Sequence, residues 1–155
     1  MELTIAAVGR LKGSPEAGIV DDYAQRVTQT GRGLALGPLS VVEIDERRAK
    51  RAADQVARLR EAAEGAVRVV LDERGRQLSS PALAENLARW RDDGQRRAAF
   101  LIGGADGHDR ALRDEADLLL SFGPMVWPHA LARVMLAEQL YRAVSILAGL
   151  PYHRV

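Results

Sequence analysis

Short and almost uninterrupted apolar runs alternate along this chain with longer stretches whose apolar residues recur at helical spacing. Residues 67–71 and 98–102 are the clearest runs, and the stripe of Ile19, Tyr23 and Val27 is typical of the amphipathic stretches. Parallel strands that helices cover on both faces have such runs, because neither face meets water. The alternation therefore predicts an α/β fold, a mostly parallel sheet with helices on both faces, as one domain over residues 1–155.

The same pattern predicts where the individual strands and helices lie. The predicted strands are residues 2–8, 39–44, 67–71, 98–102 and 118–122, and the polar residues 72–75 are expected to end the third strand as a turn. Five helices are predicted: the first spans residues 15–30, the fourth spans residues 112–116, and a long last helix runs from about His129 to a Gly149 cap. The apolar face of the second helix is formed by Ala52, Val56, Leu59 and Ala63. The third helix is capped by Ser80, which precedes Pro81, and its apolar face is formed by Leu83, Leu87 and Trp90.

Three glycine-bearing loops follow the third, fourth and fifth predicted strands: residues 72–75, 103–107 and 123–128. Ligands of parallel sheets bind beyond the carboxyl ends of the strands, so these loops predict one pocket lined by backbone. The spacing of residues 103–107 matches neither a dinucleotide fingerprint nor a P-loop, so the loop alone fits a tight turn equally well. Pro124 and Pro128 stiffen the third loop, which either holds a ring such as adenine or only connects a strand to a helix.

The composition excludes several kinds of site. The chain has no cysteine, no G-x-S-x-G motif and no His/carboxylate spacing typical of zinc, so covalent and metal catalysis are disfavoured. A net charge of +1 does not by itself indicate a nucleic-acid binder. No apolar run approaches the ~18 residues of a membrane span, and the first residues do not resemble a signal peptide. We therefore expect a cytoplasmic protein with neither a metal nor a membrane partner.

The last quarter of the chain carries polar groups at unusual places. His129 is expected near the start of the last helix, where it is either a cap or a catalytic group. Glu138 and Arg142 are spaced for a helix ion pair, which spacing alone would place on the surface. An aromatic hydroxyl, an imidazole and a guanidinium end the chain at Tyr152, His153 and Arg154. With covalent and metal chemistry disfavoured, this group suits a transfer reaction driven by positioning and proton management.

Several of these residues together resemble a known family. Gly103–Gly104 within FLIGGADG resembles an IGG-x-x-G motif. The closing signature is similar to that of the pseudouridine N3-methyltransferases of large-subunit ribosomal RNA (the RlmH family), minimal members of the knotted SPOUT superfamily; it comprises Pro128–His129, Glu138, Tyr141–Arg142–Ala143 and Pro151–Tyr152–His153–Arg154. The resemblance covers essentially the whole chain. It implies a C-terminal trefoil knot, a homodimer, S-adenosyl-L-methionine as methyl donor and a pseudouridine inside the assembled ribosome as acceptor.

The resemblance also implies roles for individual residues. The cofactor pocket would be lined by Leu71, Gly103, Gly123, Pro124, Met125, Val126, Trp127 and Pro128. His153 or His129 would handle the proton of the acceptor, Arg154 and Arg142 would hold a phosphate or a uracil carbonyl, and Tyr152 would pack on the base. The loop departs from the family, which usually has a Ser-rich segment with Met-Thr where this chain has GPMVW. Backbone contacts to the donor would tolerate that change.

The RNA contact and the substrate leave alternatives open. The arginines within residues 45–51 either belong to a solvated helix start or contact phosphate, and those within residues 89–97 are a second candidate for the RNA contact. Specificity is expected to come from a dimer that docks on the ribosome. The alternatives are a related knotted methyltransferase acting on transfer RNA, a non-catalytic ribosome-binding module and a generic nucleotide-binding protein.

Overall fold

Strands and helices alternate throughout the part of the chain that the computed structural model describes, residues 1–105 and 107–154. The strands there are β1 (Glu2–Val8), β2 (Leu39–Ile44), β3 (Val67–Gln77), β4 (Arg97–Ile102) and β5 (Leu118–Ser121). The α-helices there are α1 (Pro15–Gly31), α2 (Ala52–Ala62), α3 (Ser80–Asp92), α4 (Arg110–Asp114) and α5 (His129–Leu147). The strands form one sheet in the order β2-β1-β4-β3-β5, and all neighbouring strands are parallel. The predicted fold class and element order are confirmed.

Each face of the sheet has its own hydrophobic core, because successive residues of a strand point to opposite sides. Leu3 and Ile5 of β1 pack on the side of α1, α3 and α5, whereas Ala6 and Val8 pack on the side of α2 and α4. The same alternation puts Phe100 of β4 in the first core and its neighbour Leu101 in the second. Both faces are therefore covered, which is why residues 98–102 are apolar throughout.

Side-chain caps set where α1, α3 and α4 begin, and the caps of α3 and α4 shift a predicted boundary. Ser79, not Ser80, caps α3 by accepting from the backbone N–H of Ala82 at 3.3 Å, and the Ser80 hydroxyl instead donates to Gln139 of α5 at 2.7 Å. Asp109 caps α4 by accepting from the N–H of Leu112 at 2.7 Å, so this helix spans Arg110–Asp114 instead of residues 112–116. Adjacent polar residues compete to cap a helix, and the sequence pattern does not say which one wins.

The third strand does not end at the predicted turn. Leu71 and Arg76 of β3 both pair with Leu120 of β5, so residues 72–75 bulge out and the strand resumes as far as Gln77. A Cβ at Gly75 would lie 2.6 Å from the carbonyl carbon of Leu120, so this position requires glycine where the strand returns to β5. Residues 72–75 have the charged and glycine-containing composition of a turn, but β5 pairs with β3 both before and after them. β5 itself ends at Ser121, one residue before the predicted end.

The last helix crosses the middle of one face of the sheet. α5 buries Leu136, Leu140 and Val144 in the core shared with α1 and α3. Neither it nor any other helix in the described part of the chain is apolar over enough length to cross a bilayer. The strand order places β5 outside β3, so the chain passes from one edge of the sheet back to its centre before α5 begins. The trefoil knot that the resemblance implies stays a prediction.

Candidate functional site

The three glycine-bearing loops meet around one cleft of about 350 Å³, hereafter the cleft. Ligand pockets of proteins usually measure roughly 300–1,000 Å³, so the cleft is large enough for a small molecule. It lies at the carboxyl ends of β4 and β5 and beside the bulge of residues 72–75 within β3, which is the edge where ligands of parallel sheets bind. Its walls are formed by Leu71, Asp72, Glu73, Arg74, Ile102, Gly103, Gly104, Ala105, Gly107, His108, Leu120, Phe122, Gly123, Met125, Val126, Trp127, His129 and Ala132.

The glycine loop after β4 folds back on itself, and its first two glycines are closely packed. The N–H of Gly107 donates to the carbonyl of Gly104 at 2.9 Å. A Cβ at Gly103 would lie 2.8 Å from the carbonyl oxygen of Gly107, and a Cβ at Gly104 would lie 2.9 Å from Oε1 of Gln55. Position 103 therefore needs glycine, because backbone crowds it, whereas a side chain at position 104 would displace the Gln55 amide. The wall of the cleft here is bare backbone that a ligand can approach closely.

Two titratable groups lie behind the loops. The Asp72 side chain is only 6% exposed, accepts from the N–H of Arg74 at 3.0 Å and lies 3.7 Å from the Arg113 guanidinium. Burial lowers the pKa of His108, and the negative charge of Asp72 opposes that shift. Sequence reasoning missed His108, although its place directly after the glycine loop was a usable signal. In residues 1–105 and 107–154, no three His, Asp or Glu side chains are grouped so as to hold a metal ion.

The start of α5 brings His129 to the cleft and anchors it through Arg133. His129 is exposed on the cleft wall, one helical turn before Arg133. Arg133 is only 1% exposed and donates to Oε1 of Glu43 at 2.8 Å and to the carbonyls of Val8 and Gly9 at 3.2 and 3.0 Å. Burial lowers the pKa of Arg133, and Glu43 opposes that shift. Arg133 therefore ties α5 to the ends of β1 and β2 and fixes the position of His129.

Most residues predicted for the cofactor pocket do line the cleft. They are Leu71, Gly103, Gly123, Met125, Val126 and Trp127. Pro124 and Pro128 are not among the lining residues, although they flank those that are. Their contribution is to restrict the backbone of the loop, since proline has a fixed φ and no N–H.

The residues near the chain end form a second structure, which we call the tail cluster: Tyr23, Glu138, Tyr141, Arg142 and Tyr152. Oε1 of Glu138 accepts from the Tyr152 hydroxyl at 3.0 Å and from Nε and Nη2 of Arg142 at 3.0 and 2.5 Å. The Tyr152 hydroxyl also lies 3.3 Å from that of Tyr23, and its ring packs 4.6 Å from that of Tyr141 and 4.8 Å from the Arg142 guanidinium. Burial raises the pKa of Tyr152, and the hydrogen bonds to Tyr23 and Glu138 raise it further, so this phenol is neutral at physiological pH.

The tail cluster lies away from the cleft of its own chain. Of the five predicted catalytic residues, His129 alone lines the described wall; Arg142, Tyr152, His153 and Arg154 do not. Glu138, which holds Tyr152, is nine residues beyond His129 on α5, or about 14 Å along the helix axis. The chain turns at Gly149, whose φ is +69°, and Tyr152 finds its partners on α1 and α5. The Glu138–Arg142 ion pair forms as its spacing predicts, but its side chains are mostly buried instead of lying on the open surface.

A groove of about 740 Å³ between α1, α3 and α5 connects the two structures. It shares Leu120, Phe122 and Gly123 with the cleft, and it reaches Tyr23, Glu138 and Arg142 of the tail cluster. The rest of its lining includes the apolar side chains Ile19, Leu78, Leu83, Val134 and Met135. The groove is thus an open, partly apolar path from the tail cluster to the cleft.

Comparison with known proteins agrees with this architecture. Residues 1–153 match the family described as "Predicted SPOUT methyltransferase". The chain is 59% identical over 156 residues to the "Ribosomal RNA large subunit methyltransferase H" of Dinoroseobacter shibae, with all of both chains covered. It is 56% identical to the protein of that name from Maricaulis maris, with 99% of each chain covered. Among solved structures, it is similar to "a probable methylase family protein" from Haemophilus influenzae, at a TM-score of 0.55 and 16% identity over 95% of this chain and 66% of that one.

Proposed function

The chain belongs to the SPOUT methyltransferase family, and we propose that it methylates large-subunit ribosomal RNA, transferring the methyl group of S-adenosylmethionine to N3 of a pseudouridine. The observation that carries the proposal is the cleft, where three loops of one chain enclose a space of the size of such a donor. The names of full-length relatives that are 56–59% identical support ribosomal RNA as the substrate.

The residues of the cleft suit S-adenosylmethionine, which supplies, when bound, an electrophilic methyl group on a positively charged sulfur. Leu71, Ile102 and Trp127 provide apolar surface for a purine ring, and the glycine loop provides bare backbone for close contact. The Asp72 carboxylate also lines the cleft, where the Arg74 and Arg113 guanidinium groups, 3.3 and 3.7 Å away, offset its charge. Pro124 and Pro128 withhold two N–H donors from the third loop, so the remaining N–H groups of that loop would make the contacts.

Methyl transfer to the acceptor needs a base that removes the N3 proton and side chains that bind the nucleotide. N3 of pseudouridine is an imide nitrogen that loses its proton as the methyl group arrives, and a positioned imidazole accelerates such a step. His129, exposed on the cleft wall, and His153, beside the tail cluster, are the two candidates. Arg142 and Arg154 would hold a phosphate or a uracil carbonyl, and Tyr152 would pack on the base.

These roles require the chain to act as a homodimer, because the tail cluster is held about 14 Å along α5 from His129. The partly apolar groove between α1, α3 and α5 is a suitable place for a second copy, whose tail would then complete the cleft. Mixing a cleft-deficient variant with a tail-deficient one tests this, since each heterodimer would contain one intact site. Recovery of activity on mixing is expected, and two variants that stay inactive together would contradict it.

The most direct test maps modified bases in ribosomes from cells that lack this protein. Mass spectrometry of large-subunit RNA should show the loss of one methyl group from one pseudouridine, and the purified protein with labelled donor should restore it.

Assembled ribosomes, protein-free RNA and transfer RNA are then compared as substrates. We expect the ribosome to be preferred, because the dimer would recognise a preformed surface. Equal methylation of protein-free RNA would contradict that mode, and methylation of transfer RNA alone would establish the alternative substrate. Action on ribosomes also places the protein in the cytoplasm in our proposal.

A further inference from the structure

The loops after β1 and β2 lie on the same edge of the sheet as the cleft. The strands are parallel, and Val8 at the end of β1 pairs with Ile44 at the end of β2. On its other side β1 pairs with β4, where Ala7 is opposite Ile102, the last residue before the glycine loop. The ends of β2, β1 and β4 therefore stand in a row, and residues 9–14 and 45–51 emerge beside the cleft.

These two loops carry positive charge that the protein does not neutralise. Lys12, Arg47, Arg48 and Lys50, which we call the basic edge, are exposed and have no ion-pair partner among the described residues. The neighbouring cations are already paired: Arg10 lies 3.5 Å from Asp45, and Arg51 binds Asp54 through two hydrogen bonds of 2.8 and 2.7 Å. A second cleft of about 490 Å³ opens between the loops, lined by Arg10, Lys12, Asp45, Glu46 and Arg47.

One side chain separates the basic edge from the wall of the cleft. Oε1 of Gln55, on α2, lies 2.9 Å from where a Cβ of Gly104 would be, so the amide packs against the glycine loop. Nε2 of the same Gln55 donates to the carbonyl of Ala49 at 3.1 Å. Ala49 stands between Arg48 and Lys50, and it is buried, so their backbone is held next to the glycine loop. The positive surface is thus continuous with the proposed methyl-transfer site.

The second candidate for the RNA contact lies at the opposite edge. Residues 89–97 lead into the amino end of β4, and a six-residue strand places them about 20 Å from the cleft. Two arginines of this segment are also occupied within the chain. Arg91 binds Asp92 at 2.8 Å and the carbonyl of Leu34 at 2.9 Å, and Arg97 donates to the carbonyls of Glu64 and Ala62. Position and pairing both disfavour this segment.

We propose that the basic edge binds phosphates of the RNA on either side of the target nucleotide; this inference rests on the proposed function. A base that enters the cleft brings its flanking backbone across the carboxyl edge of the sheet, where long cationic side chains stand free. Contacts of this kind fix the register of the RNA and do not read its sequence. Glu46, in the second cleft, opposes the phosphates and weakens the contact.

The test compares two triple variants that remove equal charge from exposed positions on opposite edges. The edge variant is Arg47→Gln, Arg48→Gln, Lys50→Gln, and the matched control is Arg32→Gln, Arg89→Gln, Arg96→Gln. For each, kcat/KM for methyl transfer to large ribosomal subunits is measured over a series of salt concentrations, together with the Kd for S-adenosylmethionine and the unfolding midpoint. We expect the edge variant to lose about tenfold or more in kcat/KM and to flatten the slope of log(kcat/KM) against log[salt] by about 2. Its donor Kd and the kcat/KM of the control should stay at the wild-type values.

Glu46→Gln gives a change in the opposite direction, which misfolding cannot imitate. Removing this carboxylate should raise kcat/KM at moderate salt by about two- to threefold, since it relieves repulsion of phosphate. A wild-type kcat/KM and salt slope in the edge variant, or an equal loss in the control, would overturn the proposal.

A protein that transfers no methyl group to ribosomes would instead overturn the proposed function. Cosedimentation of the wild type and the triple variants with large subunits, without donor, then decides on the basic edge. Weaker binding by the edge variant alone supports it, and equal binding by both variants refutes it.

Discussion

The cleft and the tail cluster are built in opposite ways. The cleft is formed by the bulge of β3 and the loops after β4 and β5, with bare backbone at the first two glycines of the loop after β4. Strand pairing and closely packed glycines set its shape. The tail cluster is made of side chains from α1, α5 and the chain end, which bind one another through the Glu138 carboxylate. The described walls of the cleft come from one chain, whereas the tail cluster of that chain is ordered at a distance from them. Donor binding and methyl transfer should therefore respond to different mutations.

The largest expected effect is on kcat when His129 or His153 is replaced, because these residues are proposed to act in methyl transfer and not in donor binding. His129→Ala and His153→Ala are compared for kcat and for the Kd of S-adenosylmethionine. The variant that lacks the base should lose about 10²- to 10⁴-fold in kcat with a nearly unchanged Kd, because general base catalysis usually contributes that much. Wild-type rates in both variants would remove imidazole from the mechanism.

A smaller effect is expected from Gly103→Ala, which bears on donor binding. The new Cβ would lie 2.8 Å from the backbone oxygen of Gly107, so the loop must shift into the space for the ligand. We expect the Kd for S-adenosylmethionine to rise about a hundredfold by calorimetry, a loss of about 2.7 kcal/mol. Gly18→Ala on α1 is the control, since its Cβ would meet no atom within 4 Å. An unchanged Kd in Gly103→Ala would show that the glycine loop does not shape the donor site.

Glu138→Gln tests the tail cluster itself. The substitution keeps the shape of the side chain but removes the charge that holds Arg142 and Tyr152. We expect kcat to fall about tenfold, because a charge-assisted hydrogen bond contributes about 1.5–3 kcal/mol and part of that orients the tail. The donor Kd should not change, and the exposed Glu85→Gln on α3 should behave as the wild type. A raised donor Kd in Glu138→Gln would break the separation between the two regions.

The smallest expected effect is on the pH dependence of stability, and it concerns His108, which lines the cleft. Burial holds the pKa of His108 below its ordinary value of about 6.5, so the folded chain prefers the neutral imidazole. Below pH 6.5 the unfolded chain takes up a proton that the folded chain does not. The free energy of unfolding therefore decreases as the pH decreases, and this group contributes at most about 1.4 kcal/mol per pH unit to that decrease. His108→Leu should flatten the dependence of the urea midpoint on pH between 6.5 and 5 relative to the wild type. Parallel curves for the wild type and His108→Leu would contradict the assignment.

The parts of the fold that follow from local pattern were predictable. The apolar runs at residues 67–71 and 98–102 indicate strands buried on both faces, and parallel strands bring the loops that follow them to one edge. The extension of β3 was not predictable, because Asp72 to Gly75 looks like a turn until β5 pairs on both sides of it. Nor was the burial of Arg133, whose partners Val8, Gly9 and Glu43 are about 90 or more residues away in the chain.

The sequence by itself determined the alternation of strands and helices, the glycine-walled cleft and the family, because each rests on neighbouring residues or on a motif. Only the tertiary structure decided that Tyr152 turns toward Tyr23 and Glu138 instead of the cleft. A hydrogen bond between groups 129 residues apart depends on where two helices pack, and no local spacing encodes that. The same holds for the basic edge, which lies beside the cleft because the strand order places β1 between β2 and β4.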